Sequence, residues 1–183
     1  MRISGVIGVA LCVAFTITGC VSAPIESIVS GEKMEGWKVG SQHDFGRGRV
    51  SIREFLPADE SINQWRHLAT IQFLEGARNS PRAAMDDLER TMNARCPGKT
   101  DWSIVSDDPH SVVYEWRIHG CPGQDNQSEI ARMMQGNDGL HRIAYSEKGD
   151  SMDPANRALW LHTLQTAYVA KGDPQHPIVL TAK

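Results

Sequence analysis

His119-Gly120-Cys121 sets an imidazole two positions from a thiol, and the strand-like run before it puts Glu115 and Arg117 on the same side as His119. A thiol next to an imidazole could form a base-activated nucleophile or contribute two ligands to a zinc site. The first needs the base placed against the sulfur. The second needs three or four ligands at characteristic spacing, and the sequence places no further partner for either. Cys121 with His119 is therefore the candidate thiol centre of an enzyme, the least favoured reading. The alternation of Glu115, Arg117 and His119 has two other readings: a polar, ligand-binding groove on a sheet, or a solvated Glu115–Arg117 pair that contributes little.

No Gly-x-Ser-x-Gly elbow, phosphate loop, paired-histidine zinc helix or calcium loop occurs. Gly46-Arg47-Gly48-Arg49 reads as a hairpin turn, since neither Lys-Ser nor a strand-to-helix continuation follows it. The expectation is a protein that is not an enzyme, with no metal and no cofactor.

The elements that would position these residues follow from periodicity. Trp37 to Phe45, Arg49 to Leu56, Ala69 to Glu75 and Trp102 to Ser106 read as strands, with Ala69, Ile71 and Phe73 on one face. The strongest is Ser111 to Gly120, where Val112, Tyr114, Trp116 and Ile118 form a core face opposite a polar one. Glu129 to Met134 and Leu140 to Tyr145 flank the Gly136-Asn137-Asp138-Gly139 turn as a hairpin. One helix is capped by Ser80, opens at Pro81 and carries Ala84, Met85, Leu88 and Met92. A second is capped by Asp153, opens at Pro154 and carries Trp160, Leu161, Leu164, Ala167 and Tyr168 until Lys171-Gly172. Trp102, Trp116 and Trp160 are expected in the core, leaving Trp37 and Trp65 as candidate exposed contacts.

The N-terminus carries its own signal. Val6 to Thr18 is an apolar run after a lone basic residue, Arg2. At about thirteen residues it falls short of the roughly 20 that span a bilayer core and has the layout of a secretory signal. It ends in Ile17-Thr18-Gly19-Cys20, which resembles the lipobox of bacterial lipoproteins. That resemblance implies diacylglycerol on the Cys20 thiol, cleavage before Cys20 and acylation of the new amine, palmitate-type chains that together anchor firmly where one would not. Val21 stands where an aspartate would mark inner-membrane retention in Gram-negative lipoproteins, so the resemblance implies the outer membrane, facing the periplasm. On that reading Cys12 leaves with the signal and Cys20 is lipidated; the alternative is ordinary secretion with cleavage near Ala23. Cys96 and Cys121 then remain to form a disulfide in an oxidising compartment.

Loss of Arg2 takes the formal net charge from −3 to −4, leaving no basic field for nucleic acid. The expected organisation is a signal peptide over 1–19, a tether over 20–35, one domain over 36–172 and a proline-bearing tail over 173–183, with Ile25, Ile28 and Val29 able to dock on the domain. The predicted class is α+β, an antiparallel sheet packed against two principal helices. From Trp37 to Lys171 the element order, with the Trp65-bearing turn before a strand, resembles the PsbP-type fold of photosystem accessory proteins and of small bacterial lipoproteins such as DcrB. It brings no catalytic motif. The functional expectation is a membrane-anchored, non-enzymatic envelope module that binds another envelope protein; the alternative is a small-molecule binder using the groove.

Overall fold

The computed structural model describes residues 26–30, 35–46, 50–171 and 179–180; the lipobox with Cys20 lies outside them. The described chain runs β1 (Glu26–Ser30), β2 (Trp37–Phe45), β3 (Val50–Pro57), β4 (His67–Glu75), α1 (Pro81–Arg95), β5 (Thr100–Asp108), β6 (Ser111–Ile118), β7 (Gln127–Gln135), β8 (Gly139–Lys148), α2 (Pro154–Thr166), β9 (Tyr168–Lys171) and β10 (Val179–Leu180).

Seven strands form one antiparallel sheet in the order β2-β3-β4-β8-β7-β6-β5. Three form a second sheet, β10-β1-β9, with β1 antiparallel to β9 and parallel to β10. This corrects the expected α+β, PsbP-like arrangement of one sheet against two principal helices. The chain is mostly strand, and the molecule is a β-rich sandwich in which helices are the minor component.

Alternation along the central strands builds two cores. On one face Val112, Tyr114, Trp116, Ile118, Ala131, Met133 and Ala144 pack against Met85 of α1, with Leu88 and Met92 at the margin. On the other, Ile71, Ile130, Ile143 and Tyr145 are covered jointly by Trp160 and Leu164 of α2 and by Ile28 of β1. The second cover accounts for a departure from the half-polar strand expected at β6: Val113, on its predicted polar face, is only 2% exposed.

The small sheet also revises two expected segments. Glu26–Ser30, placed by sequence in the tether, is a buried strand, and Ile28 belongs to the core. The second helix ends at Thr166 rather than near Lys171, and Tyr168–Lys171 leaves as β9. Arg132 of β7 explains the stop: its Nη1 donates to the carbonyls of Leu164 and Ala167 at 2.8 Å and of Gln165 at 3.2 Å. Helix C-termini leave such carbonyls without partners, and a cation there also meets the negative end of the helix dipole.

One ion pair sits inside the α1-side core. Glu129 accepts from Trp116 Nε1 at 2.6 Å and from Ser146 Oγ at 3.0 Å, and is ion-paired with Arg142, whose Nε donates to the Tyr114 hydroxyl at 3.0 Å. Burial pushes the Tyr114 hydroxyl up to about 12, against the opposing pull of Arg142. Each member satisfies its neighbour, which is what lets charge persist inside the core.

Candidate functional site

The β8–α2 connection is fixed by one carboxylate. Glu147 accepts from the Tyr145 hydroxyl at 2.7 Å, from Asn156 Nδ2 at 2.7 Å and from the Asp153 backbone N–H at 2.8 Å. Burial, then the neighbouring Glu147 carboxylate, raises the Tyr145 hydroxyl well above the ordinary phenol range. Asp153 caps α2 by accepting from the Ala155 and Asn156 amides, and Pro154 suits the first helical position. The start of α2 is thereby held over the sheet, with Met152 and Arg157 at its rim.

Two cross-strand rows run inward from β5 on this face. One reads Ser103, Glu115, Ile130 and Tyr145; the other reads Asp101, Arg117, Ser128 and Glu147. Between these rows and the start of α2 lies a groove of about 380 Å³ lined by Asp101, Ser103, Glu115, Arg117, Met152 and Arg157, among others. Two ion pairs wall it. Arg157 Nη2 lies 2.6 Å from Glu115 Oε1, and Arg117 Nε donates to Asp101 Oδ2 at 2.6 Å.

Glu115 and Arg117 thus both line a concave site, but they do not pair with each other as the solvated-pair reading expected. Each is matched to a residue distant in sequence, Arg157 and Asp101, which sequence reasoning missed. The available signal was the strand register: once the Thr100–Asp108 segment pairs with Ser111–Ile118, Asp101 falls opposite Arg117. His119 lies just past β6, exposed, with Nδ1 3.7 Å from Asp101 Oδ2, so it flanks the groove. Cys121 is joined to Cys96 with their Cα atoms 5.5 Å apart, tying the end of α1 to the β6–β7 connection. The thiol centre suggested for Cys121 and His119 therefore lacks its free sulfur. Among the described residues no group of three His, Cys, Asp or Glu side chains suits a metal ion.

No family model matches the chain, and no curated protein does. Solved structures that resemble it include a single-residue mutant of the protein Mog1, with 8% identity, 75% of this chain and 98% of that chain covered and a TM-score of 0.42, and the Saccharomyces cerevisiae Ran-binding protein Mog1p, with 8% identity, 72% and 95% covered and a TM-score of 0.41. At these scores the likeness carries no argument about what this chain does.

Trp37 and Trp65, the expected exposed contacts, have partners. Trp37 meets Tyr145 and Trp160 edge-on, with centroids 6.3 and 6.1 Å away, and Lys148 Nζ lies 4.8 Å from the Trp65 ring centroid.

A second polar cluster joins the two sheets. The Glu26 carboxylate accepts from the backbone N–H groups of Asn137 at 3.0 Å and Asp138 at 2.9 Å and from Asn137 Nδ2 at 3.0 Å, with His141 Nε2 3.5 Å away. Burial disfavours its charge, but these donors outweigh that and hold Glu26 below the usual carboxylate range. Burial lowers His141, with Glu26 pulling the other way. A Cβ on Gly136 would stand 2.1 Å from Glu26 Oε2, so the turn is shaped around the carboxylate. This cluster fastens β1 to the turn before β8.

Proposed function

We propose that this chain is a lipid-anchored module of the bacterial cell envelope, held to the outer membrane through Cys20 and facing the periplasm. It acts without catalysis, by binding another envelope protein at the groove between β5, β6 and α2. The observation that carries the reading is the groove itself: concave, walled by two ion pairs, and reaching β5, the end strand of the sheet. Mixed polarity of this kind fixes register and rejects wrong partners more than it adds affinity, as protein recognition requires. The groove's volume also lies within the roughly 300–1,000 Å³ of small-ligand pockets, and this favours a small polar molecule as the second reading.

The test is photo-crosslinking in intact cells, with a photoreactive phenylalanine at Ser103 in the groove or, as control, at the exposed Leu159 on α2. The reading expects a discrete protein adduct from position 103 and none from 159. Equal labelling from the two positions, or none, would overturn it. A stable protein that crosslinks nothing but is shifted in melting temperature by a polar metabolite fraction would support the second reading.

A further inference from the structure

Building on the groove reading, we infer that its occupant is an extended polypeptide segment that adds to the β5 edge, alternating apolar and basic residues.

β5 is the terminal strand of the seven-stranded sheet and pairs with β6 alone among the described residues. The His119 N–H donates to the Lys99 carbonyl at 3.0 Å. Antiparallel pairing alternates, so Asp101 and Ser103 also direct their backbone groups to β6, while Thr100, Trp102 and Ile104 direct theirs outward. Three consecutive outward positions are enough to receive a partner strand, and main-chain bonds to such an edge supply affinity in strand addition. The bulge between Ile104 and Ser106 interrupts the ladder before it resumes at Ser106, so regular addition is confined to the part of β5 that borders the groove.

The two faces of this edge specify the partner's side chains. Toward α1, Trp102 stacks on Tyr114 and Trp116, with centroids 5.8 and 5.9 Å apart, and ends that aromatic row at the edge. Ile104, opposite Tyr114 on the same face, is 41% exposed. A partner residue here is apolar. Toward α2, one row ends at the edge in the Asp101 carboxylate with Arg117 behind it, and the other in the small Ser103 with the Glu115 carboxylate behind it. A lysine or arginine continues the first row in alternating sign and reaches over Ser103 toward Glu115 in the second; opposite charges directly across strands are favourable. β5 carries Asp101, Asp107 and Asp108 and no Lys or Arg. A second copy of this edge would bring these carboxylates together with no cation between them, which disfavours self-pairing.

The test uses the mature full-length protein in neutral detergent with two probes, the peptides Lys-Val-Lys-Val-Lys-Val-Lys and Glu-Val-Glu-Val-Glu-Val-Glu. Hydrogen exchange at the Thr100, Trp102 and Ile104 amides is expected to slow by roughly tenfold with excess lysine peptide and to stay unchanged with the glutamate peptide. Ile104→Pro removes an outward N–H without breaking the β6 ladder and is expected to abolish the protection; Ile104→Lys, which retains every backbone group, is expected to weaken it. Equal protection by both peptides, none by either, or slowing that grows with protein concentration alone would overturn the inference, the last by assigning the edge to a second copy. A Ser103 crosslink that persists in Ile104→Pro would overturn strand addition while leaving the groove reading intact.

Discussion

Glu115 on β6 and Arg157 on α2 meet at 2.6 Å across the groove, so floor and wall are joined by a single ion pair that is partly open to solvent. Asp101 and Arg117 form the matching pair nearer the edge, and at about half exposure that pair adds little to stability. The two pairs give the groove its pattern of charge while the cores beneath keep its shape.

The buried Glu129–Arg142 pair sets stability. Glu129→Ala leaves Arg142 and the Trp116 N–H without their partner in the core, and a loss of about 3–5 kcal/mol is expected from urea denaturation. Combining Glu129→Leu with Arg142→Met should recover much of it. A deficit of about 1–3 kcal/mol should remain for the orphaned Trp116 N–H and for the Ser146 and Tyr114 hydroxyls, which lose Glu129 and Arg142.

Acid should loosen the attachment of β1. His141, its pKa lowered by burial, takes up a proton less readily in the fold than in the unfolded chain, so stability falls as pH drops through the ordinary value of about 6.5. Glu26 acts lower: its depressed pKa gives stability that is fully present above the ordinary 4.5 and is lost as pH falls through the folded value. Asp138 and Asn137 also face the pair, and Arg78, His110 and Gln135 line the same pocket as Glu26. Urea midpoints should therefore decline in two limbs between pH 7 and 3, with Glu26→Gln flattening the lower and His141→Leu the upper.

The anchor and the disulfide can be read from one mass spectrum. Protein extracted from membranes is expected to match residues 20–183 plus acyl chains, with Cys96 and Cys121 alkylated only after reduction. Cys20→Ser should release the protein from the membrane fraction. Replacing both bridging cysteines by alanine should cost about 3–4 kcal/mol for a loop of 25 positions.

What the sequence made legible divides along physical lines. β6 and both helix starts were readable because a long alternation and a Ser-Pro or Asp-Pro cap are local signals. β1 was not, because five residues beside small and polar neighbours carry no sustained period, and their partners, β9 and β10, lie at the far end of the chain. The end of α2 was misplaced because Tyr168 continues the helical spacing of Trp160 and Leu164, whereas the stop is enforced by Arg132 from another strand. In the groove, Glu115 and Arg117 were found from one strand's alternation. Asp101 and Arg157 were not, since register and helix placement are tertiary facts.

The claim that groove polarity selects the partner is tested most directly by exchanging the charges of one pair. The Ser103 adduct would be measured in cells for the native chain, Glu115→Arg, Arg157→Glu and the double exchange, with the melting temperature of each purified protein. We predict that the double exchange melts with the native protein and that all three variants lose the adduct, because the pair is restored with its polarity reversed. An adduct restored by the double exchange, or unchanged in the single variants, would contradict the account.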